Sequence, residues 1–117
     1  MSDSARIVAP AGELDVAASR ALGPELSQAA GDTTRPLVVD LSDVTLMDSS
    51  ALGAIVQTHL RMRRQGRDMA VVVPPGSAAA ALLDVTHAGG GLELHATRAA
   101  ALAALADGNT APDSSVA

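Results

Sequence analysis

Two runs of nearly unbroken apolar character stand out along the chain, Leu37-Val38-Val39-Asp40-Leu41 and Met69-Ala70-Val71-Val72-Val73. Their length suits a strand, and near-continuous hydrophobicity marks strands covered on both faces. A shorter run at residues 6–9 predicts another strand. At residues 92–96 Leu92 and Leu94 alternate with Glu93 and His95, which predicts a half-buried strand. Helical spacing fills the intervals. Asp15 can cap a helix starting near Val16, with an apolar stripe of Ala18, Leu22, Leu26 and Ala29. Gly23-Pro24 predicts a kink or a restart within it. A second helix is predicted over about residues 50–65, entered from a loop. Ser77, after the Pro74-Pro75-Gly76 stop, can cap a third, with Ala78, Ala81, Leu82 and Val85 at core spacing. Thr97 can cap a fourth that carries Leu102 and Leu105. Gly12-Glu13-Leu14-Asp15 and Gly89-Gly90-Gly91 read as turns.

Strand and helix segments alternate at short spacing, without internal repeats. That order predicts an α/β fold: a single mixed, mostly parallel sheet of about four strands with about four helices. The 117 residues suit one domain. Its expected extent is residues 1–106, with residues 107–117 a polar, disordered tail.

Composition narrows the functional classes. Hydrophobic residues make up 48% of the chain, yet Phe, Tyr and Trp are absent. The core must therefore be built from Leu, Val, Ile, Ala and Met, and modest stability is expected without large aromatic anchors. The absence of Cys excludes disulfides, thiolate zinc sites and cysteine nucleophiles. The formal net charge is −5 and no basic stripe exists, which argues against direct nucleic-acid binding. No signal core and no apolar run of membrane-spanning length is present, so a cytoplasmic protein is expected.

The most informative segment is Val44-Thr45-Leu46-Met47-Asp48-Ser49-Ser50-Ala51-Leu52-Gly53. On a wheel of about 100° per residue with Leu52 at zero, Ile55, Val56, Leu60 and Met62 fall within about 80° and define the core face. Ser49 lies at its edge. Ser50 lies about 160° away, in solvent. Gly53 and Ala54 make a smooth floor one turn on, and Gln57, Arg61 and Arg64 follow on the outer side. A kinase could reach such a serine, and the positive end of the helix dipole would tolerate a phosphate there. Geometry alone favours the other reading, in which both serines are only caps, since serine is preferred there anyway.

Met47-Asp48-Ser49-Ser50-Ala51-Leu52-Gly53 resembles the D-S-S-G/A-L-G segment of bacterial anti-sigma factor antagonists of the STAS family. Gly12-Glu13-Leu14-Asp15 is similar to that family's G-E-L-D turn, and residues 37–41 with 44–47 look like its central strand and lead-in. Leu82-Leu83-Asp84-Val85-Thr86 with the following glycines resembles the segment before its last strand. The resemblance implies a STAS-type fold and a phosphorylation-controlled binding module rather than an enzyme, with no cofactor. It implies that Ser50 is phosphorylated by an anti-sigma factor serine/threonine kinase. The unphosphorylated chain binds that kinase and releases the sigma factor. A PP2C-type phosphatase reverses the modification. It further implies that Asp15 lies near Ser50, that Asp48 sets the loop, and that the docking face comprises Asp15, Asp48, Ser49, Ser50, Ala51, Gly53, Ala54, Gln57 and Arg61. Two departures stand out: residues 1–5 are too short for the family's usual first strand, which should be short or absent, and position 51 is Ala where many relatives have Gly. The alternative in the same fold is an unphosphorylated regulatory subunit of a transport ATPase or larger signalling complex.

Other signals favour structural roles. His59 falls on the core side of its helix as a partly buried, satisfied histidine, and His59, His87 and His95 lack metal-site spacing. Arg61, Arg63, Arg64 and Arg67 suit the negative end of a helix dipole. The glycine triplet precedes a strand and lacks a Lys, unlike a P-loop. Ser50 lacks the G-x-S-x-G context of a hydrolase nucleophile.

Overall fold

The computed structural model describes residues 5–31, 35–86 and 91–106. The elements run β1 (Arg6–Val8), β2 (Ala11–Leu14), α1 (Val16–Gly31), β3 (Leu37–Asp40), β4 (Asp43–Met47), α2 (Ser49–Arg64), β5 (Met69–Val72), α3 (Ala78–Thr86), β6 (Glu93–His95) and α4 (Arg98–Ala106). Residues 1–4, where the family's usual first strand is expected to be short or absent, His87, the Gly89-Gly90 part of the turn and the tail lie outside the described residues. The α/β expectation holds. A four-stranded sheet has the order β1-β3-β5-β6, and each of its pairings is parallel.

Alternate residues of the central strands feed two cores. Leu37, Val39, Met69 and Val71 pack with Leu22 and Leu26 of α1, Ile55 and Met62 of α2, and Ala79 and Leu83 of α3. Val38, Ala70 and Val72 face the other way, onto Ala101 and Leu105 of α4. The period-two alternation of a strand thus meets three helices on one side and one short helix on the other. Among the α3 side chains described, Ala79 and Leu83 are buried, Ala78 and Leu82 half-buried and Ala81 exposed, so that part of the face is turned one position from the expected one; the side chain of Val85 lies outside the described residues. The caps expected at Ser77 and Thr97 are in place, accepting from the Ala80 and Ala100 N–H groups.

Two segments read as a turn and a loop are strands. β2 and β4 form a separate parallel ladder beyond the ends of β1 and β3. Pro10, which has no N–H to donate, separates β1 from β2. Between β3 and β4, Asp40 accepts from the Ser42 backbone N–H at 3.0 Å and its hydroxyl at 2.6 Å, a local turn that competes with the ladder. Gly12 has φ +82° where the β2–β4 register shifts, a bulge conformation that favours glycine. The chain there is an irregular strand rather than a turn.

α1 runs unbroken through Gly23-Pro24, because Leu22, Leu26, Ala29 and Ala30 hold both halves on the core. Asp40, on the α4 side of β3, also pairs with Arg98 at 2.7 Å and ties α4 down. Burial works to raise the Asp40 pKa, but the Ser42 hydroxyl, the Arg98 guanidinium and the Ser42 N–H hold it below its ordinary 3.8. Arg67 closes its own helix through its backbone N–H, which donates to the Met62 carbonyl at 2.9 Å, and its side chain reaches further. Its guanidinium donates to the Ala30 carbonyl at the end of α1, and to that of Arg35. β6 is shorter than expected and its alternation is reversed: Leu94 is exposed, while Glu93 and His95 are half-buried and paired at 2.8 Å.

Candidate switch site at the start of α2

β2 and β4 end level, with Leu14 opposite Met47, and the Asp48 N–H donates to the Leu14 carbonyl at 3.1 Å. The next residue on each strand is an aspartate that caps a helix. Asp15 Oδ1 accepts from the Ala18 N–H at 3.0 Å, and Asp48 Oδ1 from the Ala51 N–H at 3.1 Å. Ser19 joins the two caps: its hydroxyl lies 2.8 Å from the Asp15 carbonyl oxygen and 3.3 Å from Asp48 Oδ1. Sequence reasoning missed Ser19, giving Ala18 the core position. The available signal was a serine one turn after the capping aspartate, where its hydroxyl can reach back to the i−4 carbonyl.

With Asp48 as the cap, Ser49 and Ser50 fall inside the first turn, so the capping explanation for the serine pair does not apply. Both are exposed, and neither hydroxyl is hydrogen-bonded among the described residues. The expectation for Ser49 at the core edge is therefore corrected. The cause is a rotation of the buried face. Ala51, Ile55, Thr58 and Met62 are its centre and Leu52 its margin, while Leu60 is 43% exposed. α1 packs along the Ala51–Thr58 side, which pulls that face away from Ser49 and Leu60.

Of the expected docking residues, Asp15, Ser49, Ser50, Gly53, Gln57 and Arg61 are exposed, and Asp48 and Ala54 half-buried. Ala51 is fully buried, so its methyl is core and no part of an outer surface. Ala54, Gln57, Thr58 and Arg61 form one wall of a groove of about 290 Å³, and Gly23, Pro24 and Ser27 of α1 the other. Arg61 spans it, donating to the Ser27 hydroxyl at 2.8 Å. It is a groove-wall residue rather than a loose rim contact.

His59 is half-buried as expected, but its Nε2 has no hydrogen-bond partner among the described residues, so the satisfied histidine is not found there. Burial and the nearby Arg63 charge lower its pKa from the ordinary 6.5, against the opposing pull of the Gly91 backbone and Glu93. A histidine that protonates less readily when folded supports the fold above its unfolded pKa and withdraws that support as pH falls through the folded value. Denaturation midpoints should therefore decline as pH drops below about 6.5, and His59→Gln should flatten that decline. A midpoint in the unsubstituted protein that is constant from pH 7.5 to 5 contradicts the assignment.

Among the described residues, no group of three or more His, Cys, Asp or Glu could hold a metal ion. No described helix is long and apolar enough to cross a membrane. The family model for the STAS domain matches residues 1–101. Among solved structures, the chain is similar to the anti-sigma factor antagonist SpoIIAA in its unphosphorylated form. The two are 18% identical with a TM-score of 0.67, over 91% of this chain and 93% of that one. At that identity the likeness is one of fold.

Proposed function

Because the chain belongs to the STAS domain family, we propose that it is an anti-sigma factor antagonist switched by phosphorylation of Ser50. Unphosphorylated, it binds an anti-sigma factor serine/threonine kinase and frees the sigma factor. The phosphorylated chain leaves the kinase, and a PP2C-type phosphatase resets it. The observation that carries this reading is the Ser50 hydroxyl: exposed, without a hydrogen bond among the described residues, and excused from capping by Asp48. The docking face is the outer side of α2, with Ser49, Ser50, Gly53, Ala54, Gln57 and Arg61, and the Asp15 and Asp48 caps at its head. A phosphate on Ser50 adds about −1.5 to −2 charges at the head of that face. A partner fitted to the neutral hydroxyl would have to bury that charge unpaired.

Incubation with ATP and the kinase retained by the unphosphorylated chain should add one phosphate, on Ser50. Phosphopeptide mapping reads the position. A phosphate on Ser49, Ser114 or Ser115 with Ser50 unmodified rejects the assignment. Recovery of a transport ATPase in place of a kinase would favour the role of an unmodified regulatory subunit.

A further inference from the structure

The rims of the α1–α2 groove continue beyond it toward the helix starts. α1 and α2 follow parallel strands and lie side by side in the same direction. Three links fix their alignment: Ser19 with Asp48, Ser27 with Arg61, and Ala30 with Arg67. Ser50 precedes Arg61 by three turns and shares its side of α2, since eleven residues return the helix to within about 20°. Arg20 precedes Ser27 by two turns and shares its side of α1, by the same arithmetic for seven residues. The residues that head the two rims are therefore Arg20 and Ser50. The Ser19–Asp48 contact sets them at about the same level. Helical side chains lean toward the N-terminus, the direction in which an extended Arg20 side chain would reach the Ser50 end of the groove.

Arg20 is exposed and makes no hydrogen bond or ion pair among the described residues. Among the described residues, the charges placed beside it at this end are carboxylates: the caps Asp15 on α1 and Asp48 on α2, and exposed Glu13 on β2. Arg61 lies about 16 Å further along α2 and is engaged by Ser27.

We propose that Arg20 is a phosphate clamp: once Ser50 is phosphorylated, the Arg20 guanidinium pairs with the phosphate across the mouth of the groove. The inference rests on Ser50 being the modified residue. A phosphate there stands among like charges, and Arg20 is the cation placed to offset them with paired N–H donors. The clamp also draws the phosphate over Ala54, so the modified chain covers its own docking floor as well as charging it. Release of the partner then has a steric part supplied by this chain.

The test installs phosphoserine at position 50 during translation, without any kinase, and follows the phosphate by phosphorus NMR through a pH titration. Arg20→Gln should raise the second phosphate pKa by about half a unit to one unit. Arg20→Lys, which keeps the charge and loses the fork, should fall between. Arg61→Gln should leave the value unchanged. Matched thermal melts of the unmodified variants confirm that each is folded. Equal pKa values with and without Arg20, or an equal rise in Arg61→Gln, overturn the clamp. A kinase that labels Ser50 while the titration shows no Arg20 effect removes the clamp and leaves the proposed function standing. If no kinase acts on Ser50, the proposed function falls, while the Arg20 effect is still read on the installed phosphoserine.

Discussion

Ser50→Asp is expected to weaken binding of the kinase by about 3–5 kcal/mol, more than a hundredfold in Kd, while Ser50→Ala keeps binding and escapes release by ATP. The asymmetry comes from what each side chain asks of the interface. Alanine removes a hydroxyl with no hydrogen bond to lose among the described residues, and it removes no cap, because Asp48 supplies that function. Aspartate puts a fixed charge beside the Asp15 and Asp48 carboxylates and buries it against a partner shaped for a neutral group. The desolvation of a carboxylate for which the partner offers no counter-charge outweighs the packing its side chain adds. Ala54→Gln tests the same face without a charge. The exposed part of Ala54 is groove wall, so a longer side chain there should obstruct the partner and leave the domain folded. Titration calorimetry on the three variants reads all of these effects. Equal affinities for the unsubstituted chain, Ser50→Asp and Ala54→Gln would remove this face from the docking surface.

The sequence was most legible where one physical signal dominated. The strands β3 and β5 declared themselves by runs too apolar for anything but a doubly covered sheet, and both are buried throughout. The caps Asp15, Ser77 and Thr97 were readable because each short polar side chain stands just before a helical stripe. Legibility failed where two signals competed. Gly12 suggested a turn, yet the same positive φ serves a bulge within β2. In β4 only Val44 and Met47 are buried, a spacing that matches neither a strand alternation nor a helix over so short a run. Long-range bonds within the chain such as Arg61 to Ser27 and Arg67 to Ala30 join residues 34 and 37 positions apart, and no local pattern encodes them. At the candidate site, the exposure of Ser50 was readable from the wheel alone. Its release from capping was not, because Asp48 and the serines are all good caps and only the backbone decides among them.

The same wheel placed Leu52 at the centre of the buried face, and the packing of α1 moves that centre to Ile55 and Met62. Ile55→Ala should therefore cost about 2–5 kcal/mol, the range for truncating a fully buried aliphatic side chain. Ile55 is fully buried in the main core cluster, between α2, α1 and the sheet, so the cavity opens inside the core. The chain has no Phe, Tyr or Trp side chain to swing in and refill it. Against a total stability of about 5–15 kcal/mol for a domain of this kind, that loss is a large fraction. Leu60→Ala, on the same helix and of similar size, should cost much less, about 1 kcal/mol, since 43% of its surface is already exposed. Ser50→Ala should be close to neutral for the same reason, with alanine's helix propensity in its favour. Urea denaturation of the three variants separates the two orientations of α2. A Leu60→Ala loss as large as that of Ile55→Ala would mean the helix is turned by about 140°, carrying Ser50 off the outer face and the proposed switch with it.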